Sequence, residues 1–255
     1  MTTVVAHGTT AVRVHGVVKT FGRGRAYTVA LGGLDLDVPA GQFVCLLGRS
    51  GCGKSTLLNL LAGLDEPTAG SVDVGGRRVA MMFQDATLFP WLTAGGNVAL
   101  ALKLADVPRP ERPARVTELL ELVHLGGLEH KRPHELSGGM RQRVALARAL
   151  AQDGSVLLMD EPFGALDAMT RDVLHDEIER IWRERRLTVL FVTHNVREAV
   201  RLGDRVVLMQ PSPGRVDIDI DIDISRPRRI DSPEVSERAR WFTDRLQTQP
   251  SGARV

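Results

Sequence analysis

The sequence predicts an α/β fold with a mostly parallel sheet covered by helices, and two observations carry this prediction. First, short apolar runs alternate along the chain with segments of helical spacing, which is typical of parallel sheets. The alternation is clearest at 155–160, 168–185, 187–193, 196–202 and 205–209. Second, a glycine-rich stretch at 48–56 follows the apolar run 43–47 and precedes the helical pattern 57–62. Strand, glycine loop and helix in this order predict a phosphate-binding P-loop.

The glycine-rich stretch reads Gly48-Arg49-Ser50-Gly51-Cys52-Gly53-Lys54-Ser55-Thr56. Its glycines let consecutive main-chain N–H groups turn toward an anion, and a helix that begins near Lys54 adds the positive end of its dipole. The Lys54 ammonium can reach the β- and γ-phosphates of a nucleotide, and the Ser55 hydroxyl can ligate Mg²⁺. A chance glycine turn is the alternative, and the flanking strand and helix disfavour it.

The composition is typical of a soluble globular protein, and it lacks the strong excess of positive charge that is typical of nucleic-acid-binding proteins. Apolar residues make up 43% and charged residues 25% of the 255 residues, and the formal net charge is +2. This near-balanced charge, with few and scattered aromatic residues, argues against a nucleic-acid partner. No run approaches the ~18 uninterrupted apolar residues of a transmembrane helix, and residues 1–10 lack the features of a signal peptide.

The two cysteines indicate a reducing compartment. Cys45 lies in the predicted strand before the P-loop and Cys52 lies inside the loop. A structural disulfide at either position would distort the site, so both are expected to be reduced, as in cytosolic proteins.

The rest of the chain is predicted to surround this core. Residues 1–10 are expected to be disordered, residues 12–18 to form a strand, and residues 27–38 to form a second pair of strands. An all-helical lobe is expected from about 90 to 150. Its helical spacing recurs at 97–105, 112–125 and 140–151.

A strict repeat of aspartate and isoleucine runs from Asp217 to Ile224. Period-two alternation predicts a strand with one apolar face and one carboxylate face. A metal-binding ladder is conceivable, but same-face neighbours on one strand lie ~7 Å apart, too far for a compact site. A solvated edge strand is the favoured interpretation.

Two adjacent acids, Asp160 and Glu161, follow the apolar run 156–159. The carboxyl end of a buried strand is where α/β sheets place ligands, and a P-loop enzyme needs a carboxylate there to hold Mg²⁺. Successive residues of an extended chain point apart, so Glu161 could face an attacking water as a general base. A turn carrying two solvated acids is the alternative.

A second anion site is predicted at Ser137-Gly138-Gly139, which opens the helical pattern 140–151. Main-chain N–H groups at a helix N-terminus bind anions. The alternative is an ordinary serine N-cap, although a doubled glycine costs helix stability unless something approaches closely. His194, at the end of the run 188–193, can donate to a phosphate oxygen but is a weak signal by itself.

Together these motifs resemble the ATP-binding cassette (ABC) ATPases over roughly residues 12–210. In that family's terms they are similar to Walker A, Q-loop, signature, Walker B, D-loop and H-loop, in family order. The matching positions are 48–56, Gln84, 136–143, 156–161, 165–167 and His194. The resemblance implies one ABC ATPase domain over 11–250, with a P-loop NTPase core and an N-terminal antiparallel β subdomain. An α-helical subdomain would be inserted at about 90–150, and a strand and helix would follow at about 214–248.

The resemblance also implies roles for individual residues. ATP and Mg²⁺ would be the cofactors, with Phe21 stacking on adenine. The catalytic residues would be Glu161, His194 and Gln84, and the metal would be held by Ser55, Gln84 and Asp160. A head-to-tail homodimer would bind each ATP between one chain's P-loop and the other chain's Ser137, Gly138 and Gly139.

Family members of this kind pair with transmembrane permease subunits and a solute-binding protein at the cytoplasmic face of the cell membrane. The stretches 81–85 and 88–91 resemble the nitrate, sulfonate and taurine importers. Gly48-Arg49-Ser50 and Arg226-Pro227-Arg228-Arg229 most resemble their aliphatic sulfonate branch. Asn195 and Gly164 depart from the residues common in the family. Two rival functions are a soluble cassette ATPase that acts on DNA or ribosomes, and a regulatory module without turnover.

Overall fold

The computed structural model describes residues 9–22, 27–164 and 166–248. These residues fall into two compact units, one formed by the residues up to Arg77 together with those from Arg186 onward, the other by Arg78–Arg185. The expected disorder of residues 1–8 lies outside the described residues. Thr9 and Thr10 differ from that expectation, because Thr10 opens the first strand and the Thr9 carbonyl accepts from the Ala40 amide at 3.0 Å.

The strands and helices follow the predicted alternation. The strands are β1 Thr10–Phe21, β2 Thr28–Pro39, β3 Phe43–Gly48, β4 Ala69–Asp73, β5 Val79–Met82, β6 Val156–Asp160, β7 Thr188–Thr193, β8 Arg205–Gln210 and β9 Arg215–Asp221. The helices are α1 Lys54–Leu61, α2 Ala94–Leu104, α3 Arg112–Leu122, α4 Gly138–Leu150, α5 Ala168–Arg185, α6 Val196–Leu202 and α7 Pro233–Thr248.

The first unit contains an antiparallel sheet in the order β2-β1-β4. The sequence analysis was wrong to expect two strands at 27–38, because β2 is one continuous strand that pairs with β1 from Thr10↔Pro39 to Phe21↔Thr28. Alternating burial along both strands, with Val12, Leu34 and Leu36 inside, gives this sheet one apolar face.

The same unit contains the strand that leads into the P-loop. Strand β3 is buried at all six positions and pairs in parallel with β7 on one side and β8 on the other. A strand buried on both faces reads as a continuous apolar run, as 43–47 does. Strand β9 pairs antiparallel with β8 and is an edge strand.

Strand β9 carries the aspartate–isoleucine repeat and confirms the edge-strand interpretation. Its aspartates are exposed and its isoleucines half-buried, so charge covers the open face. The strand ends at Asp221 rather than at Ile224 because the following main chain has other partners. The Ile222 amide donates to the Asp204 carbonyl at 2.8 Å, and Arg228 binds the carbonyls of Ile222 and Ile224 at 2.8 Å each.

The second unit combines helices α2 to α5 with the parallel pair β5–β6. Thr93 and Ser137 begin α2 and α4 as N-caps, each accepting a hydrogen bond from the amide three residues ahead. The apolar faces of α2, α3 and α4 supply buried side chains such as Val98, Leu119 and Leu146. The helices expected from spacing at 97–105, 112–125 and 140–151 are therefore present, with ends shifted by a few residues.

Candidate functional site

The P-loop has the local geometry that its glycines predict. Gly53 is the N-cap of α1 with φ +94°, and Gly51 has φ +81°. Both angles lie in the left-handed region, which glycine adopts without strain. A Cβ atom at Gly53 would stand 2.6 Å from Leu31 Cδ2 and 2.9 Å from the Ala30 carbonyl oxygen, so β2 packs directly on the loop.

Lys54 folds back over the loop that precedes it. Its ammonium donates to the carbonyls of Gly48 at 2.8 Å and Arg49 at 3.2 Å, and lies 3.6 Å from Cys52 Sγ. The side chain is buried, so the charge is held by the loop rather than by water. Burial raises the pKa of the Cys52 thiol although the Lys54 charge lowers it, so this thiol is an uncharged packing group. Both cysteines are free and buried.

His194 lies beside the start of the P-loop. In the parallel pairing of β3 and β7, Leu47 stands opposite Thr193. Gly48 and His194 therefore leave the same edge of the sheet on neighbouring strands. His194 itself is exposed. The edge where parallel strands end is where α/β proteins bind ligands, so the two motifs, 146 residues apart in sequence (194 − 48), belong to one surface.

A buried network holds the backbone on either side of His194. The Thr193 hydroxyl donates to the Glu198 carboxylate, and the main-chain N–H of Asn195 donates to Thr193 Oγ1 at 2.9 Å. Asn195 Oδ1 accepts from the amides of Arg197 at 3.1 Å and Glu198 at 3.3 Å, which caps α6. Asparagine is as good an N-cap as aspartate, so this departure from the family pattern keeps the local structure.

Phe21 ends β1 with its ring 45% exposed. The Lys19 ammonium lies 5.1 Å from the ring centroid and donates to Asp65 at 2.6 Å and to the Glu66 carbonyl at 2.8 Å. One side of the Phe21 ring is therefore available for stacking, and the Lys19 ammonium, held by its hydrogen bonds, interacts with the ring as a cation–π partner.

Gln84 and Asp160 follow neighbouring strands of the second unit. Met82 of β5 stands opposite Met159 of β6, so the two polar residues leave the sheet side by side. Asp160 ends β6 as predicted, but Glu161 does not continue the strand. Its φ is +44°, and its carbonyl accepts from the Gly164 amide at 3.2 Å. The expectation of an extended Asp160–Glu161 pair was wrong, because the chain turns sharply at Glu161.

A left-handed backbone at a residue with a side chain costs free energy of order 1–3 kcal/mol and is typical of functional sites. Gly164, the second departure from the family pattern, closes this turn. A Cβ atom there would stand 3.6 Å from the Glu161 carbonyl oxygen, which is ordinary contact, so the turn itself does not require glycine.

The signature segment begins α4 with an N-cap, and it also packs closely against α5. Ser137 Oγ accepts from the Met140 amide at 3.2 Å, which confirms the N-cap interpretation. A Cβ atom at Gly139 would lie 2.5 Å from Thr170 Cγ2, so α5 is the element that approaches closely. Gly138 has no such neighbour, since its nearest heavy atoms stand at 3.8 and 4.0 Å. Ser137 is exposed.

Three arginines hold the main chain next to these motifs, and the sequence analysis missed two of them, since only Arg141 lies in the signature stretch 136–143. Each donates to two carbonyl oxygens of a loop. Arg141 binds Pro133 and Leu136, Arg148 binds Ala86 and Thr87, and Arg171 binds Phe163 and Leu166. In the sequence these arginines stand at the edges of the apolar faces of helices. Ordinary surface arginines occupy the same kind of position, so the pattern did not distinguish them.

The predicted residues thus divide between the two units. The first unit brings 48–56 together with His194, and the second brings Gln84 together with Asp160. The hydroxyl of Ser55 and the carboxylate of Asp160 are hard oxygen donors of the type that Mg²⁺ takes along with water and phosphate oxygens, so the donor set fits that ion. In the described ranges no group of three or more His, Cys, Asp or Glu side chains is placed to hold a metal by itself.

Comparison with known proteins identifies the family. The family model described as ABC transporter matches residues 31–164, which contain the P-loop, Gln84, the signature segment and Glu161. The chain belongs to the ABC transporter family of ATP-binding cassette ATPases. Solved cassettes agree in fold, with a TM-score of 0.75 to a dimeric post-hydrolysis ATP-binding cassette bound to ADP and Pi. That structure is 32% identical, and the match covers 84% of this chain and all of the other.

Among the curated relatives of this ABC protein are ATP-binding proteins that are named for import or transport. The aliphatic sulfonates import ATP-binding protein SsuB of Bacillus subtilis is 45% identical over 83% of this chain and 84% of its own length. The nitrate import ATP-binding protein NrtD of Synechococcus elongatus is 48% identical over 77% and 75%. The bicarbonate transport ATP-binding protein CmpC of the same species is 47% identical over 86% of this chain, which spans about a third of CmpC (34%).

Proposed function

We propose that this ABC protein is the ATP-hydrolysing subunit of a bacterial importer for a small anion, with aliphatic sulfonates as the solute and taurine or nitrate as the alternatives. The observation that carries the ATPase proposal is the P-loop at the end of β3, with Lys54 folded over it and His194 leaving the adjacent strand. The sulfonate proposal is supported by the relatives named SsuB, which match this chain over most of their length.

Phosphate binding is assigned to residues of the P-loop. The main-chain amides of the loop, including those of Gly51 and Gly53, would surround the β-phosphate, and the Lys54 ammonium would bind the β- and γ-phosphate oxygens. Ser55, Gln84 and Asp160 would hold Mg²⁺. The ion would supply charge neutralisation at the phosphates. Phe21, exposed at the end of β1, would stack on adenine.

Hydrolysis is assigned to Glu161, His194 and Gln84. Glu161 would accept the proton of the attacking water, for which a carboxylate is a sufficient base. His194 would donate a hydrogen bond to the γ-phosphate and stabilise its developing charge. Gln84 would orient the water and the γ-phosphate. The turn at Glu161 and the capping network around His194 support these roles, because both fix the main chain that carries the side chain.

A homodimer would complete each nucleotide site. Ser137, Gly138 and Gly139 form a helix N-terminus at which Ser137 is exposed and Gly138 is half-buried, and we propose that this N-terminus binds the γ-phosphate held by the partner's P-loop. Dimeric cassette structures at 32% identity support this arrangement.

A groove in the second unit fits a permease segment. It measures about 800 Å³ and is lined by residues that include Phe83, Phe89, Leu100 and Leu104. Leu104 is 75% exposed, and Trp91, whose ring centroid lies 5.3 Å from that of Phe89, is 68% exposed. Exposed apolar side chains around a groove mark protein interaction sites. None of the helices described could cross a membrane by its length and apolarity. The groove and its exposed apolar rim support our proposal of peripheral attachment to permease subunits at the cytoplasmic face, with a separate solute-binding protein.

The proposal is tested by ATPase assays with purified permease, with DNA and with the chain alone. Stimulation by the permease supports the importer, whereas stimulation by DNA would support the soluble cassette ATPase. ATP binding without turnover under any condition would support the regulatory module. Growth on sulfonates as sole sulfur source, before and after deletion of the gene, tests the solute.

A further inference from the structure

The segment from Gln84 to Thr87 is held by side chains of α4. It lies between β5 and α2 in neither helix nor strand. Gln142 Nε2 donates to the Gln84 carbonyl at 3.1 Å. Arg148 donates to the carbonyls of Ala86 and Thr87, both at 2.9 Å. Three of the four main-chain carbonyls of the segment are therefore bound to one helix.

Gln142 is withdrawn from water, and Arg148 is half-buried. Gln142 is 5% exposed, and burial lowers the pKa of the Arg148 guanidinium. Breaking a hydrogen bond to a buried donor costs more than breaking one to an exposed donor, because the group left behind stays desolvated. Thr87 has φ +39°, a left-handed backbone that persists only when its surroundings hold it.

The far end of the same connection is fixed to α2. Asn97 is fully buried; its Oδ1 accepts from the Phe89 amide at 2.8 Å, and its Nδ2 donates to the Phe89 carbonyl at 3.3 Å. The path from Gln84 to Phe89 is thus bound at both ends to helices of the same unit. The main chain of such a path has a defined position although it lacks regular structure, and it fixes the point from which the exposed Gln84 side chain extends.

We propose that Gln142 and Arg148 are positioning residues for Gln84. They hold the main chain that carries Gln84 so that its side chain meets the γ-phosphate and the attacking water in one geometry. The inference rests on the proposed ATPase function and adds two residues to it. Helix α4, which begins at the signature glycines, thereby also determines the position of Gln84.

A double-mutant cycle with Gln84 tests the inference. Gln142→Met keeps the length of the side chain and removes the donor. In the full-length protein we expect it to lower kcat for Mg-ATP about tenfold, because misplacing a positioning group removes transition-state stabilisation. KM should change less than about threefold, because the P-loop is untouched. In a Gln84→Ala background the same change should lower kcat less than about twofold.

Arg148 provides a second, independent variant. Arg148→Met should resemble Gln142→Met, and Arg148→Lys, which can still reach one carbonyl, should recover part of the loss. Arg115→Met is the matched control, because Arg115 is a helical arginine of the same unit whose bond runs only to the exposed Glu118. It should leave kcat unchanged. Thermal unfolding of every variant shows whether the fold is kept.

Equal losses of kcat with and without Gln84 would overturn the inference and assign Gln142 a general structural role. Unchanged kcat in folded Gln142→Met and Arg148→Met would overturn it as well. Absence of turnover in the wild type, alone and with permease, would instead contradict the proposed function, so the two failures are distinguishable.

Discussion

The Lys54 ammonium donates a 2.8 Å hydrogen bond to the main-chain carbonyl of Gly48, the residue that ends β3. A second bond joins it to the Arg49 carbonyl at 3.2 Å. The cation is thus held above its own loop by neutral acceptors. A phosphate that competes for it carries a full negative charge, so it adds charge–charge attraction to the hydrogen bond and can replace the carbonyl partners.

Lys54→Ala should therefore weaken ATP binding at least tenfold, the size of effect expected from losing one buried charge-assisted bond. Equilibrium titration with a fluorescent ATP analogue measures it. Lys103→Ala, at an exposed lysine in the last turn of α2, is the control and should not alter affinity. Unchanged affinity in Lys54→Ala would contradict the P-loop assignment.

Ser137→Arg should abolish turnover while ATP binding by the monomer stays within about twofold of wild type. The added side chain would block the site for the partner's γ-phosphate but lies outside the monomer's own P-loop. Thr93→Ala is the control, because it removes the N-cap bond of α2 outside the nucleotide site, and it should cost about 1 kcal/mol of stability and keep turnover. A loss of monomer affinity as large as in Lys54→Ala would rule out the trans site.

Glu161→Gln should keep ATP binding, reduce hydrolysis by about 10²–10⁴-fold and accumulate an ATP-bound dimer. Glutamine has the shape of glutamate but cannot accept a proton as a carboxylate does, and it removes repulsion with the γ-phosphate. Sedimentation with ATP and Mg²⁺ should show the dimer, and sedimentation with ADP should not. Wild-type turnover in this variant would remove Glu161 from the role of base.

The buried carboxylate of Glu177 predicts how the free energy of unfolding depends on pH. Burial raises the pKa of Glu177 despite the lowering effect of Arg143 and Arg180, and the Arg143 Nε–Glu177 Oε2 distance is 3.4 Å. Between its ordinary pKa and this raised pKa, the folded state binds more protons than the unfolded state. The free energy of unfolding therefore falls as pH rises through that interval.

Glu177→Gln should remove this fall. Relative to the variant, the wild type should lose stability as pH rises from the ordinary pKa of glutamate toward the raised pKa of Glu177, which urea unfolding at fixed pH values measures. Glu184→Gln, at an exposed glutamate of the same helix, is the control. A wild-type curve parallel to that of Glu177→Gln would contradict the raised pKa.

We expect the Arg205–Asp219 pair to determine the register of the edge strand β9 on β8. Arg205 of β8 makes two hydrogen bonds to the Asp219 carboxylate and one to the Asp37 carbonyl at 2.7 Å. Asp219→Asn should destabilise the protein by about 1 kcal/mol and speed amide exchange in β9. Asp223→Asn, at an exposed repeat position after the end of β9, should do neither. Equal exchange in both variants would show that Arg205 does not select the register.

Much of the fold was predictable because its determinants are local. The run 43–47 is apolar at every position, and this pattern is typical of a strand that is buried on both faces. The glycines at 51 and 53 adopt positive φ next to the helix they begin, and neither feature needs distant residues. The alternation of strands and helices has the same origin, so the α/β class followed from the chain alone.

The positions of Gln142, Arg148 and Arg171 could not be predicted in the same way. Gln142 meets the Gln84 carbonyl 58 residues away in sequence, and no local pattern distinguishes it from any other polar residue on α4. The turn at Glu161 is similar, because the preceding apolar strand predicts extension and only the structure shows the left-handed angle.

The aspartate–isoleucine repeat separates the two kinds of information most clearly. Its period of two determined by itself that the segment is a strand with one charged face. It could not determine the register, because sliding the strand by two residues places aspartate on aspartate and isoleucine on isoleucine. The tertiary structure decides it, since Arg205 on β8 pairs with Asp219 and buried Arg228 binds the Ile222 carbonyl. A periodic pattern encodes which face is buried, and only non-periodic partners elsewhere in the chain can select one alignment.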